Sequence, residues 1–178
     1  MKLRAVIHRN KNGLLVLLFY LIIYGYFELK THQLDTRIIY NPSPSMPEGF
    51  YNLSYPTTIE RGMSVLFPVL KEWHTLFYGG GSLKKKAPLI KYVGAVEGDE
   101  VCVVNNTLFI NKQNNGIIFD TDSQGLSLSK VLPKGCTMVE PGFFLPIGLA
   151  NQKSLDGRYI GFIKSDSIIG EAKPLWIF

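Results

Sequence analysis

Two serines lie in a turn rich in proline, where a hydroxyl group could act as a nucleophile. Residues 41–51 read NPSPSMPEGFY and contain Ser43 and Ser45. Proline fixes its own φ and restricts the preceding residue, so the three prolines of this segment reduce the conformations open to the turn that carries both serines. A fixed direction of attack lowers the entropic part of a reaction barrier. The alternative interpretation is an ordinary surface turn, in which proline and serine are common.

A serine nucleophile requires a base, and the sequence favours a lysine for this role. The three histidines are far apart in the chain, at His8, His32 and His74. Lys91 differs from the other lysines because it lies in the apolar run of residues 88–96. Burial there would lower the pKa of its amine and provide the neutral form. The alternative is a strand residue whose side chain faces solvent, as most lysines do.

The elements that must position these groups are short β-strands. The 178 residues include 17 glycines and 10 prolines, and this density of turn residues argues against a helical bundle. Apolar or alternating stretches, such as residues 89–96, 100–104 and 107–111, are bounded by glycine, proline or asparagine. Asn105 and Asn106, between two of these stretches, indicate a hairpin turn. The pattern predicts a mainly antiparallel β domain.

The longest uncharged apolar run, residues 13–27, indicates a membrane anchor near the N-terminus. As a helix it would be about 22 Å long, somewhat short of a hydrocarbon core of ~30 Å. Tyrosines near its end suit the membrane interface, and no small-residue cleavage site follows it. We expect an uncleaved anchor; a cleaved signal peptide and a buried core helix are the alternatives. The basic residues that precede the run place the N-terminus in the cytoplasm: Lys2, Arg4, Arg9 and Lys11.

The cysteines and the charges indicate little further chemistry. Cys102 and Cys136 are the only cysteines, and either a disulfide or two buried thiols would fit their spacing. No cluster of cysteine and histidine residues has the spacing of a metal site, so we expect neither a metal nor a cofactor. The net charge is +5, and the basic run of residues 84–86 is typical of a solvated loop. We therefore expect no nucleic-acid partner.

Four short blocks follow one another in the order found in the signal peptidase I superfamily of Ser/Lys proteases. They are residues 43–51, 61–67, 91–99 and 154–161. With these blocks the chain resembles that superfamily (S26-like), and most closely its TraF-type conjugative-transfer peptidases, whose C-terminal ends are similar to residues 169–176. One departure is that the Gly-Asp-Asn that commonly precedes the last block reads Gly-Leu-Ala at residues 148–150.

The resemblance implies a role for individual residues of these blocks. Ser45 would be the nucleophile, and neutral Lys91 would take the hydroxyl proton and later return it to the leaving amine. The Ser43 hydroxyl and the Ser45 backbone N–H would form an oxyanion hole, and Ser154 would orient the lysine amine. Three further side chains would shape the site or exclude water from it: Met46, Asp156 and Arg158.

The resemblance also implies a fold and a function. The fold would be a signal-peptidase-like catalytic domain of antiparallel sheets, preceded by one transmembrane helix. The layout would be a cytoplasmic N-terminus (residues 1–12), an anchor (13–29), a connector (30–40) and a periplasmic peptidase domain (41–178). The protein would be a serine endopeptidase of the bacterial inner membrane that processes a conjugative pilin precursor, by hydrolysis or cyclisation through an acyl-enzyme. Components of conjugative transfer or type IV secretion would be further partners.

Two other functions fit the same residues. A general leader peptidase would use the same chemistry on exported preproteins. A non-catalytic β module of a pilus or secretion apparatus would have the same anchor, and in it Ser45 would be merely structural.

Overall fold

The computed structural model describes residues 13, 15–26, 37–73, 87–122, 125 and 127–178. The chain divides into two units, residues 1–36 and residues 37–178. In the first unit, residues 15–26 form helix α1, whose large apolar side chains are exposed. Within the described part of the chain, no helix has the length and apolar character that crossing a bilayer requires. The anchor over residues 13–29 therefore stays a prediction.

Several sequence-based expectations fall on parts of the chain outside the described residues. They concern the cytoplasmic segment 1–12, residues 27–29 of the anchor and most of the connector. The three histidines and the basic run of residues 84–86 also lie outside the described residues. Residues 37–40, which end the predicted connector, belong to the first strand of the second unit.

The second unit is built mainly from antiparallel strands, as the sequence predicts. Seven of its strands form the larger sheet: β1 (Arg37–Asn41), β2 (Gly49–Ser54), β3 (Ser64–Phe67), β4 (Leu89–Val96), β9 (Phe143–Ile147), β10 (Ile163–Lys164) and β11 (Gly170–Ile177). Their order across the sheet is β1-β2-β11-β3-β4-β9-β10, and each neighbouring pair is antiparallel. Strand β1 therefore lies at one edge of the sheet.

A smaller antiparallel sheet follows β4 in the chain. Its strands are β5 (Glu100–Val104), β6 (Thr107–Ile110), β7 (Gln113–Ile117) and β8 (Gly135–Met138). Their order across the sheet is β7-β6-β5-β8. Asn105 and Asn106 connect β5 to β6 with positive φ angles of 48° and 59°, which confirms the predicted hairpin. Asparagine suits this turn because its short polar side chain tolerates the left-handed conformation.

A disulfide joins the smaller sheet across two neighbouring strands. Cys102 on β5 is bonded to Cys136 on β8, with the two Cα atoms 3.9 Å apart. The structure therefore decides between the disulfide and the buried thiols that the sequence left open. Glu100 lies beside the two sulfur atoms, but these are bonded to each other and offer no thiolate to a metal.

Apolar residues of both sheets share the main core. Val101 and Leu108 of the smaller sheet are packed with Leu145 and Ile147 of β9. The short helix α2 (Gly157–Ile160) is packed against the same core through Tyr159. Burial of apolar side chains contributes about 25 cal/mol per Å² removed from water, so this cluster holds the two sheets and α2 together.

A second cluster ties the serine-containing turn to the larger sheet. Alternate residues of β2 are buried, and Tyr51 and Leu53 pack with Leu66 of β3 and Ile90 of β4. Met46, within the turn between β1 and β2, is 1% exposed and belongs to the same cluster. The turn is therefore held by its own apolar side chain against the strand that carries Lys91.

Candidate active site

Ser45 lies in the turn between β1 and β2 and is buried. Its Oγ is 2.6 Å from Lys91 Nζ and 2.9 Å from Ser43 Oγ. The two serines and the lysine that the sequence analysis singled out are thus brought together in one cluster. Lys91 is 46 residues away from Ser45 in the chain, so tertiary structure alone creates this contact.

Lys91 points from β4 into the protein, and its side chain is only 4% exposed. The alternative of a solvent-facing strand residue is therefore wrong. Besides its contact with Ser45 Oγ, Nζ donates a hydrogen bond to Ser154 Oγ at 2.8 Å. Two hydroxyl groups thus fix the direction of the amine. This is the geometry expected if Ser154 orients the amine and Ser45 exchanges a proton with it.

Burial is the main cause of the unusual acidity of this amine. It lowers the pKa of Lys91 from 10.5 to about 8; the negative charge of Asp156 opposes the change, and the positive charge of Arg158 adds to it. At pH 7 about a tenth of the molecules then carry a neutral amine, against fewer than one in a thousand for an ordinary lysine. The site can therefore supply a proton acceptor near neutral pH.

Asp156 and Arg158 form a buried ion pair beside the lysine. Arg158 donates from Nε to Asp156 Oδ1 and from Nη2 to Oδ2, at 2.9 and 2.8 Å. The carboxylate also accepts a bond from the Arg158 backbone N–H, which caps helix α2. Arg158 Nη1 donates to the Gln152 carbonyl at 2.9 Å. The pair links the start of α2 to the loop that carries Ser154.

Gly148 allows this loop to approach Ser45 closely. Its N–H donates to Asp156 Oδ2 at 2.7 Å. A Cβ at this position would lie 2.7 Å from the Ser154 Cβ and 3.1 Å from the Ser45 carbonyl oxygen. The sequence departs from the family pattern at residues 149 and 150 but keeps the glycine at 148, where a side chain would not fit. The buried carboxylate of Asp156 accepts the hydrogen bond from the Gly148 backbone.

An apolar groove opens beside the serine and the lysine. It has a volume of about 400 Å³ and runs between β1 and the first residues of β4. Its apolar lining includes Ile39 and Ile90, with Ser45 and Lys91 at one side.

Sequence reasoning missed two residues that hold the serine turn. Asn41 and Tyr51 both bond to backbone carbonyls of the turn; the Tyr51 hydroxyl donates to the Pro47 carbonyl at 2.6 Å. Both residues lie within the quoted segment 41–51, but an asparagine before a proline and a tyrosine in a strand have ordinary local explanations. One signal could have found them. The alternation of buried residues along β2 directs Tyr51 inward, and a polar Asn41 just before the turn could then be expected to bond to the same backbone.

Together, a β fold and a serine hydroxyl held against a buried amine are the parts of a serine hydrolase. The family model described as "Signal peptidase, peptidase S26" matches residues 11–177. The chain belongs to this family. It is therefore a serine endopeptidase of the signal peptidase I superfamily, and its substrates are proteins.

One solved structure similar to this chain is that of a signal peptidase I from Enterococcus faecalis V583. The two chains share 19% sequence identity, and the match covers 66% of this chain and 98% of that one, with a TM-score of 0.39. A comparison with curated protein sequences gave no match.

Proposed function

We propose that the protein is a Ser/Lys-dyad endopeptidase that matures a conjugative pilin precursor. The observation that supports the dyad is the distance of 2.6 Å between Ser45 Oγ and Lys91 Nζ in a buried setting. A neutral amine at this distance can accept the hydroxyl proton directly. No other group of the mechanism needs to act as a base.

Acylation begins with attack of Ser45 Oγ on the scissile carbonyl carbon, while its proton passes to Lys91 Nζ. The carbonyl oxygen becomes an oxyanion, to which the Ser45 backbone N–H and the Ser43 hydroxyl donate. Among the described residues, the Ser45 N–H has no other acceptor. When the intermediate collapses, the C–N bond breaks and Lys91 returns the proton to the leaving amine. An ester of the substrate with Ser45 remains.

Deacylation repeats these steps with a second nucleophile. Water or an amine attacks the ester carbon, Lys91 accepts the proton of the attacking group, and Ser45 Oγ leaves and recovers a proton. Attack by water gives a cleaved chain, whereas attack by the substrate's own amino terminus gives a cyclic one. An amine held in the groove would have a high effective concentration and could compete with water.

The substrate would bind as an extended strand in the groove. On its outer side, β1 is the edge of the larger sheet. On the other side, β4 pairs with β9 only from Tyr92 onward, so residues 89–91 pair with β3 alone among the described strands. Backbone groups on both walls are thus available to a peptide. Shallow pockets between the strands would fit small side chains near the cleavage site.

The pilin assignment is supported by the four blocks and by the C-terminal segment, which resemble TraF-type peptidases. With it we propose a single-pass protein of the bacterial inner membrane with a periplasmic catalytic unit. Its further partners would be components of conjugative transfer or type IV secretion, and nucleic acid would not be one of them. A general leader peptidase is the second candidate, favoured by the description of the matched family as signal peptidase.

Cleavage assays with two substrates separate these candidates. The full-length protein in detergent is incubated with a conjugative pilin precursor and, in parallel, with an ordinary exported preprotein. We expect processing of the pilin precursor at least about tenfold faster, a difference that corresponds to ~1.4 kcal/mol in the transition state. Mass spectrometry of the product distinguishes hydrolysis from cyclisation by the mass of one water. Cleavage of the preprotein alone would refute the pilin assignment without affecting the dyad.

The pH profile tests the lysine base. Because only the neutral amine accepts a proton, kcat/KM should rise about tenfold per pH unit below pH 8 and then level off. The inflection should fall near the Lys91 pKa of about 8. Initial rates on the same precursor between pH 5.5 and pH 9.5, in buffers of constant ionic strength, measure the profile, and the neutral fraction of Lys91 should rise roughly 300-fold over this range. A profile that is flat between pH 6 and pH 8 would contradict a lysine base.

A further inference from the structure

Asn41, the last residue of β1, makes an unusual set of contacts with the serine turn. Its side chain is only 5% exposed. Nδ2 donates to the carbonyl oxygens of Ser43, at 3.0 Å, and Pro47, at 3.1 Å. The Met46 carbonyl oxygen is a third, longer acceptor at 3.4 Å. Oδ1 accepts a bond from the Ser43 backbone N–H at 3.2 Å. One carboxamide therefore binds backbone groups from both halves of the turn.

The turn has few other restraints of its own. Residues 42–48 lie between β1 and β2 and belong to neither strand. The backbone bond within the turn, from the Met46 N–H to the Ser43 carbonyl, is long at 3.4 Å. Tyr51 adds a side-chain bond to the Pro47 carbonyl, and the Phe178 N–H donates to the Glu48 carbonyl at the end of the turn, at 3.0 Å. Between residues 42 and 47, the conformation of the turn therefore depends chiefly on Asn41 and on the burial of Met46.

We infer that Asn41 is a positioning residue for acyl transfer, which holds Ser43 and Ser45 ready to stabilise the oxyanion. This inference rests on the proposed dyad. Both peptide groups that flank the Ser43 side chain are bound by one carboxamide, so Ser43 Oγ is aimed at Ser45 Oγ, 2.9 Å away. Hydrogen-bond donors that are fixed before the reaction need no reorganisation in the transition state. Asn41 would therefore speed acyl transfer by fixing the donors of Ser43 and Ser45 in advance.

Only a carboxamide satisfies both sides of this contact. The site presents an N–H group on one side and carbonyl oxygens on the other, so the side chain must accept at one atom and donate at the next. Aspartate has the same shape, but both of its oxygens accept, and one would face the carbonyls of Ser43 and Pro47. Asn41→Asp therefore removes the donors while it keeps the volume, and Asn41→Ala removes every bond.

The test measures kcat, KM and the pH profile of the full-length protein on the precursor. We expect Asn41→Ala and Asn41→Asp to lower kcat about 10- to 100-fold, with KM changed by less than about threefold. The inflection of the profile should stay at the wild-type position, because no bond joins the Asn41 side chain to the lysine amine among the described contacts. General loosening of the site would instead admit water, raise the Lys91 pKa and move the inflection upward.

Asn52 provides the matched control. It lies on the neighbouring strand β2, and its buried Oδ1 has no hydrogen-bond partner among the described residues. Asn52→Ala should leave kcat within about twofold of the wild-type value. A similar loss of kcat in this variant would show that any change near β1 and β2 has the effect, and it would overturn the inference.

Further outcomes also decide the matter. A normal kcat in Asn41→Ala, while Ser45→Ala is inactive, overturns the role of Asn41 but leaves the dyad intact. Activity that survives in Ser45→Ala overturns the dyad and the positioning role together. If near-ultraviolet circular dichroism shows that neither Asn41 variant folds, Asn41 is a stability residue and the inference fails.

Discussion

The Lys91→Met enzyme is expected to be inactive and yet more stable than the wild type at neutral pH. Without the amine there is no base, and rates on the precursor should fall about 10³- to 10⁴-fold, as they should in Ser45→Ala. The double variant should be no less active than either single one, because the two groups act as a unit. Cleavage assays with all three variants measure this.

Stability changes in the opposite direction because the lysine is buried. The fall of the Lys91 pKa from 10.5 to about 8 corresponds to at most ~3 kcal/mol of destabilisation when the folded protein carries a protonated lysine. The cost is present in full below pH 8. Between about pH 8 and 10.5 the unfolded chain binds more protons than the folded one, so wild-type stability rises. The advantage of methionine should therefore shrink across that window.

Thermal melting of the full-length protein between pH 6 and pH 10 measures this difference. We expect a net gain of about 1 to 2 kcal/mol at pH 7, because loss of the bonds to two hydroxyls offsets part of the desolvation cost. Lys164→Met, at an exposed position of β10, is the matched control and should change little. Wild-type activity in Lys91→Met would eliminate the dyad. Marked destabilisation at pH 7 would instead show that the lysine stabilises the fold.

Replacement of Asp156 by alanine is expected to have the largest effect on stability. It would leave the buried Arg158 guanidinium without its carboxylate, remove the cap of α2 and free the Gly148 N–H. Removal of one partner of a buried ion pair typically costs 3–5 kcal/mol, about 10 °C or more in melting temperature for a unit of this size. Activity should also fall, because this carboxylate holds the loop that carries Ser154 and Gly148.

A second substitution separates the charge from the packing. In Asp156→Ala combined with Arg158→Met, no unpaired charge remains buried, so much of the lost stability should return. Asp166→Ala, at an exposed position, is the control and should change the free energy of unfolding by less than about 0.5 kcal/mol. If Asp156→Ala melts within two degrees of the wild type, the ion pair does not support the site.

Much of the site could be predicted from the sequence because several of its signals are local. The proline-rich turn, the lysine in an apolar run and the asparagine pair of the β5–β6 hairpin each depend on neighbouring residues. The family blocks added Ser154, Asp156 and Arg158, and the structure places all three around the lysine. Their chemical roles stay predictions, as does the anchor, until the variants above are measured.

The sequence by itself determined which residues are chemically able to react and that short antiparallel strands hold them. Only the tertiary structure decided that Lys91 is buried against Ser45, that Cys102 is bonded to Cys136, and that Asn41 binds the turn. These contacts depend on how distant segments pack and on where individual side chains point. The local pattern of apolar and polar residues specifies neither of these. Burial also sets the protonation of the lysine, so its power as a base is a property of the fold.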